Sequence, residues 1–116
     1  MPDTLVLAKD FARALHSKKA ENIVILDLRK VSNIADFFLV ASVHSPTQAE
    51  AIVEDLRKRL KAAGKPILGT EGSKEGGWML IDAADVIIHL FDPILRDYYD
   101  IENLWAEAPK LEWVPE

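Results

Sequence analysis

Two segments of the chain repeat apolar residues every three or four positions, which predicts amphipathic helices over 3–20 and 46–63. The start of the second helix is well marked, because Ser45 and Gln48 form a capping box and Pro46 occupies the first helical position. Its apolar stripe consists of Ala49, Ile52, Val53, Leu56 and Leu60. Each helix therefore has one face to bury against another element.

The segments between the helices are typical of β-strands. Residues 23–28 (IVILDL) are almost continuously apolar and rich in β-branched residues, which indicates a strand that is covered on both faces. Residues 36–42 (DFFLVAS) predict a second strand, and a short third one is expected at Ile67 and Leu68. Residues 69–77 (GTEGSKEGG) are rich in glycine and are predicted to form a loop.

After this loop, residues 78–82 and 85–91 predict two strands joined by a tight turn at Ala83 and Ala84. Two short helices are expected at 93–99 and 101–107. This order of elements is typical of a single α/β domain, residues 1–116, built on a mixed sheet of about five strands with flanking helices.

The predicted hairpin sorts its side chains onto two unlike faces, because successive strand residues point to opposite sides. One face is wholly apolar and is expected to pack against the helices: Met79, Ile81, Val86, Ile88 and Leu90. The other face mixes large apolar groups with two carboxylates: Trp78, Leu80, Asp82, Asp85, Ile87, His89 and Phe91. A two-residue turn would pair Asp82 with Asp85, Leu80 with Ile87, and Trp78 with His89.

Two carboxylates set directly opposite each other destabilise a strand pair, so the fold alone gains nothing from them. A cationic partner would relieve the repulsion, and Trp78 would serve as its aromatic anchor. The alternative is that both aspartates only favour turn geometry. The candidate partner-binding residues are therefore Trp78, Leu80, Asp82, Asp85, Ile87 and His89.

The composition of the chain limits the kinds of binding partner and of metal or cofactor chemistry that are expected. With 19 acidic and 14 basic residues, the net charge is −5, which disfavours direct nucleic-acid binding and favours a basic protein. The chain has no cysteine, and its three histidines lack the spacing of metal ligands, so neither a metal nor a cofactor is expected. No basic signal-peptide region and no membrane-length apolar run is visible, so we expect a cytoplasmic protein without membrane contact.

One catalytic alternative stays open, which is metal-dependent nucleotidyl transfer. This chemistry needs carboxylates that share a divalent metal ion. Asp82 and Asp85 would form such a pair across the hairpin, and Asp36 would supply a third carboxylate from another strand. The glycine-rich segment lacks the G-x-x-x-x-G-K-S/T order of a P-loop.

Four blocks, in order, resemble the ribosome silencing factor family, RsfS or Iojap-like, over about residues 5–107. They are Asp27-Leu28-Arg29, Asp36-Phe37-Phe38, Trp78-x-Leu80-x-Asp82-x-x-Asp85 through His89-x-Phe91, and Arg96-x-x-Tyr99-x-x-Glu102-x-Leu104-Trp105. The resemblance implies a nucleotidyltransferase-like fold without transferase activity. It also implies binding to the large ribosomal subunit through ribosomal protein L-fourteen, which would block joining of the small subunit and repress translation when nutrients are scarce.

Two positions depart from the family pattern. Members usually carry glycine where this chain has Ala84, and they usually read Ser/Thr-Gly-x-Ser-Asn-Arg where residues 42–47 read SVHSPT. The hairpin block is intact, so the resemblance places the ribosomal interface there.

The C-terminal part of the chain is rich in large apolar side chains: Tyr98, Tyr99, Leu104, Trp105 and Trp113. So much aromatic surface in a small domain predicts a homodimer, because exposed apolar patches mark interfaces. The alternative is that Leu104 and Trp105 close the core of one chain.

Overall fold

A six-stranded mixed sheet organises the chain, and helices cover both of its faces. The computed structural model describes residues 4–64, 69–73, 76–83 and 85–113. The helices are α1 (Thr4–Ser17), α2 (Pro46–Ala62), α3 (Pro93–Tyr99) and α4 (Ile101–Leu104). The strands are β1 (Glu21–Asp27), β2 (Phe37–Ser42), β3 (Gly69–Ser73), β4 (Trp78–Ala83), β5 (Val86–Phe91) and β6 (Lys110–Leu111).

The strands lie in the order β3-β4-β5-β2-β1-β6. Only the central pair, β2 and β5, is parallel, and the other neighbours are antiparallel. The predicted α/β class and mixed sheet are confirmed, but the sheet has six strands instead of five. The short strand predicted at Ile67 and Leu68 lies outside the described residues.

The prediction of a loop over residues 69–77 was wrong for its first half, because β3 pairs with β4 along Gly69–Ser73. Gly72 explains why a glycine-rich segment forms this strand. Its φ is +75°, and a Cβ at this position would lie 2.2 Å from the carbonyl oxygen of Trp78. The two backbones approach so closely that only glycine fits there. β6 was also missed, since its two residues pair only with Ile25 and Leu26 of β1.

The helix predicted most clearly from the sequence is α2, and Ser45 caps its start as expected, whereas the Gln48 side chain accepts from His44 instead of completing the predicted capping box at Ser45. The backbone N–H of Gln48 donates to Ser45 Oγ at 3.0 Å, and the backbone N–H of His44 donates to Gln48 Oε1 at 2.7 Å. On its solvent side, Arg59 bonds Asp10 of α1 at 2.8 Å, which ties the two helices together. The predicted helix over 101–107 is shorter than expected and ends at Leu104.

The core has one layer on each face of the sheet. The first layer packs α1 and α2 against the apolar hairpin face, where Ile81, Val86, Ile88 and Leu90 are buried and Met79 is partly buried. The second layer lies under α3, α4 and the segment that follows them: Leu26, Leu28, Ala35, Phe38, Val40, Ile87, Phe91 and Ala108. The predicted sorting of hairpin faces is confirmed. The second face nevertheless contributes to a core, which the sequence pattern had not indicated.

None of the helices in the described ranges combines the length and the apolar character that crossing a membrane would require.

Candidate functional site

The pairing of β4 with β5 differs from the register predicted for the hairpin. Leu80 lies opposite His89, and Asp82 lies opposite Ile87. The predicted cross-strand pair of Asp82 and Asp85 is therefore wrong, and so are the pairs Leu80–Ile87 and Trp78–His89. Because the true register differs by two residues, every side chain keeps the face assigned to it.

Asp85 is bonded to β2, on the other side of β5 from β4. Its carbonyl oxygen accepts the backbone N–H groups of Asp36 at 2.8 Å and Phe37 at 3.1 Å. These bonds join Asp85 to the start of β2, and the β4–β5 ladder ends at the pair Ala83–Val86. Ala84, the second residue of the predicted turn, lies outside the described residues.

Trp78 is half-buried and is held by aromatic neighbours on the second face of the sheet. Its ring stacks on Phe91, with centroids 5.4 Å apart and planes 15° apart, and it meets Tyr99 at 5.0 Å. Its indole Nε1–H donates to His89 Nδ1 at 3.4 Å. The aromatic residue predicted as the partner anchor thus has a defined position and keeps part of its surface accessible.

His89 lies beneath this surface and is only 3% exposed. Its ring meets the edge of Phe38 at 4.8 Å and stacks on Phe91 at 6.0 Å. Burial lowers the pKa of His89 to about 4, so the ring is neutral near pH 7. The Nε2 atom is buried and has no hydrogen-bond partner in the described part of the chain.

Of the six predicted partner-binding residues, Trp78, Leu80 and Asp82 are half-buried and Asp85 is exposed. The structure places the other two, Ile87 and His89, inside the second core layer. These two residues support the surface from below. We use the name β4 strip for the accessible set: Trp78, Leu80, Asp82 and Asp85.

The β4 strip stays accessible because the cover over the second face does not extend fully across β4. Side chains of β5, β2 and β1 on this face are buried, as with Phe91, Phe38 and Leu26. At the far side, Glu71 of β3 lies opposite Leu80 and is exposed. Residues directly opposite in an antiparallel pair share a face, so Glu71 adds a carboxylate beside Leu80. The sequence reading missed Glu71 because it treated that segment as a loop.

The carboxylates proposed for nucleotidyl transfer lie near the same end of the sheet, where Asp36 adjoins Asp85 through the backbone. Another carboxylate at this end, Asp27, is paired with Arg29 at 2.8 Å, and hydrogen bonds from the Arg29 side chain lower its pKa. Within residues 4–64, 69–73, 76–83 and 85–113, no group of three or more His, Asp or Glu side chains is arranged to hold a metal ion.

The aromatic residues of the C-terminal part serve different purposes. Trp105 is half-buried and meets the edge of Phe38 at 5.6 Å, and Trp113 donates to the Ile23 carbonyl at 3.3 Å. Both complete the core of one chain. In contrast, Tyr98 and Leu104 are 78% and 76% exposed. Part of the predicted aromatic surface therefore lies outside the core.

A polar cleft of about 980 Å³ lies between the α3–α4 segment and the start of β1. One of the charged residues that line it, Arg96, is already engaged, because its guanidinium bonds Ser42 Oγ at 2.9 Å and Glu102 at 2.8 Å. These contacts anchor α3 to β2 and α4. None of the predicted partner-binding residues lines this cleft.

The family model described as "Ribosomal silencing factor during starvation" (RsfS) matches residues 2–115 of this chain. A Ribosomal silencing factor RsfS from Halalkalibacterium halodurans is 41% identical over 99 residues, which are 85% of each protein. The protein of the same name from Bacillus subtilis is 36% identical over 103 residues, 89% of this chain and 87% of the relative.

More distant similarity extends to organelles. A mouse protein named "Mitochondrial assembly of ribosomal large subunit protein 1" is 29% identical over 95 residues, 79% of this chain and 42% of its own length. Among solved structures, the X-ray structure of a Chromobacterium violaceum protein superposes with a TM-score of 0.84. It is 35% identical and covers 99% of this chain and 95% of that one.

Proposed function

The chain belongs to the ribosomal silencing factor family, RsfS, and on this premise we propose that it binds the large ribosomal subunit through ribosomal protein L-fourteen. Bound there, it blocks association with the small subunit and represses translation under nutrient limitation. The name of the mouse relative, which refers to the large subunit, supports this choice of subunit. The proposed site of action is the cytoplasm.

The observation that carries this proposal is the β4 strip. It presents a half-buried tryptophan in a defined position beside Leu80, with Asp82 and Asp85 at one end and Glu71 alongside. A rigid aromatic group next to an aliphatic one is typical of the centre of a protein interface. The surrounding carboxylates, on a chain of net charge −5, favour a basic protein surface over a phosphate backbone.

The proposed mechanism is steric and uses no catalytic group and no cofactor. The domain measures 34 × 32 × 27 Å along its principal axes. An object of this size, seated where the two subunits meet, occupies space that the small subunit needs. Binding energy at the β4 strip would then be sufficient for silencing, and release from the large subunit would restore translation.

Sedimentation with separated ribosomal subunits tests this proposal. We expect the protein to sediment with the large subunit and to lower the fraction of joined ribosomes when both subunits are mixed. Trp78→Ala should strongly reduce both effects, whereas Val6→Ala, which changes an exposed apolar residue of α1 on the other side of the sheet, should not. Sedimentation with the small subunit alone would contradict the proposal.

The second part of the proposal concerns oligomeric state, because Ile94, Tyr98 and Leu104 expose large apolar side chains on α3 and α4. We propose that this surface lies between two copies of the chain in a homodimer. Light scattering at micromolar concentration should give the mass of two chains, and Tyr98→Ser with Leu104→Ser should reduce it to one. A wild-type mass of one chain would reject the dimer and leave the ribosomal proposal intact.

A further inference from the structure

We propose that His89 is a positioning residue for partner binding. From beneath the β4 strip, its Nδ1 atom accepts the indole N–H of Trp78 and thereby fixes the orientation in which Trp78 meets its partner. The link to the ribosome rests on the function proposed above, whereas the hydrogen bond itself is a property of the free protein.

The strand register brings these two residues into contact. Trp78 lies opposite Phe91 and Leu80 lies opposite His89, so Trp78 and His89 are diagonal neighbours on one face. Their ring centroids are 6.3 Å apart with planes 22° apart, and the Nε1–Nδ1 distance is 3.4 Å. The polar edge of the indole therefore faces a residue that is 3% exposed, away from solvent.

The direction of this hydrogen bond determines the tautomer of His89. An indole N–H can only donate, so the nitrogen that receives it carries no proton, and the single proton of the neutral ring sits on Nε2. Packing between Phe91 at 6.0 Å and Phe38 at 4.8 Å restricts rotation of the imidazole. Because the His89 ring that accepts the hydrogen bond is held in place, the indole of Trp78 has one preferred orientation before the partner binds.

Packing alone does not explain why residue 89 is a histidine, because the ring carries a second nitrogen, Nε2. Nε2 is buried without a partner among the described residues, and a buried donor of this kind destabilises a fold. A phenylalanine would suit a layer that already contains Phe38 and Phe91 and would bury no polar atom. The hydrogen bond to Trp78 is the feature of His89 that such a replacement would remove.

The proposal predicts opposite effects of one substitution on stability and on binding. His89→Phe keeps an aromatic ring and removes both nitrogens, so it should melt at the wild-type temperature or higher. It should bind large ribosomal subunits about three- to tenfold more weakly, because Trp78 must then be ordered on binding. His89→Asn places a carbonyl oxygen near the Nδ1 position and should recover most of the affinity while melting lower.

Leu26→Val is the matched control, since it removes one methylene group from the same core layer on β1, two strands away from His89. It should lower the melting temperature and leave the affinity within about twofold, as expected for a change in packing alone. If His89→Phe binds subunits as tightly as the wild type does, His89 has no positioning role and the proposal is overturned.

Nitrogen NMR of the free wild-type protein tests the hydrogen bond without a partner. We expect an unprotonated Nδ1 and a protonated Nε2 for His89 at pH 7, and slow solvent exchange of the Trp78 indole proton. A protonated Nδ1 would overturn the proposal. If the wild type fails to bind large subunits, the proposed function is wrong, and this NMR measurement still decides the role of His89 toward Trp78.

Discussion

The carbonyl oxygen of Asp85 accepts the backbone N–H of Asp36 at 2.8 Å, which joins the hairpin to the start of the parallel neighbour strand. The contact links residues that are 49 positions apart in the sequence. On the other side of β5, the β4–β5 ladder ends at the pair Ala83–Val86, and Asp82 faces Ile87 instead of a second carboxylate. Asp82 and Asp85 are therefore not a cross-strand pair, and the repulsion predicted for such a pair does not apply to them.

The position of Asp85 determines how removing its charge should affect stability and binding. Asp85→Asn should leave the free energy of unfolding within about 0.5 kcal/mol, because Asp85 is exposed and Asp82 pairs with Ile87 instead of with Asp85. Binding to purified L-fourteen should weaken roughly two- to threefold at low salt, with a flatter dependence on salt concentration. Titrations at several salt concentrations measure both effects.

Glu54→Gln is the matched control, because it makes the same change in charge on α2, in the other layer. If both variants lose affinity equally, net charge alone matters and Asp85 has no specific role in the interface.

Removing the aromatic anchor should have the largest effect on binding. Trp78→Ala should weaken binding to L-fourteen by about 2 kcal/mol or more, which is roughly thirtyfold in affinity. It should also lower the melting temperature, since Trp78 stacks on Phe91 and Tyr99. Calorimetric titration well below the melting temperature separates the two effects. A variant that melts early and yet binds normally when folded would assign Trp78 to the core alone.

A core substitution on the opposite face of the same hairpin should show the reverse pattern. Ile88 is fully buried between the sheet and the helices α1 and α2, so Ile88→Ala should cost about 2–5 kcal/mol of stability. The folded fraction should bind L-fourteen with the affinity of the wild type. Urea unfolding gives the first quantity, and titration at low temperature gives the second. Loss of affinity comparable to that of Trp78→Ala would show that the two faces are not independent.

The buried histidine should make stability depend on pH. The pKa of His89 falls from 6.5 to about 4 on folding because burial disfavours the charged ring. Above pH 6.5 the ring is neutral in both the folded and the unfolded state, so protonation of His89 does not lower the free energy of unfolding. Between pH 6.5 and pH 4 the unfolded chain binds a proton that the folded chain does not, so the free energy of unfolding decreases, by up to about 3 kcal/mol.

His89→Phe provides the comparison, because it should lack this part of the pH dependence while keeping the contribution of the carboxylates. Thermal melts of both proteins at half-unit intervals from pH 7 to pH 4 measure the difference. Parallel curves over this interval would show that His89 titrates alike in the folded and unfolded states.

Local patterns determined much of this protein before any tertiary contact was known. The capping residues Ser45 and Gln48 mark the start of α2, because their hydrogen bonds span only a few residues. Alternation along the hairpin assigned Ile88 to one face and Trp78 to the other, because this property depends only on the parity of the position. For the same reason, an error of two residues in register left both assignments correct.

Tertiary structure decided the features that depend on distant partners. The bond between Asp85 and Asp36 joins β5 to a strand far away in the sequence, and Gly72 lets the backbone of β3 approach Trp78 closely enough to pair with β4. The burial of His89 depends on Phe38, which comes from a strand some 50 positions away and is itself in contact with Trp105. The alternation of residues along a strand does not show which distant side chain will pack on that strand. The division of the second face into a buried layer and an accessible β4 strip is therefore a result of packing between elements that the chain brings together only on folding.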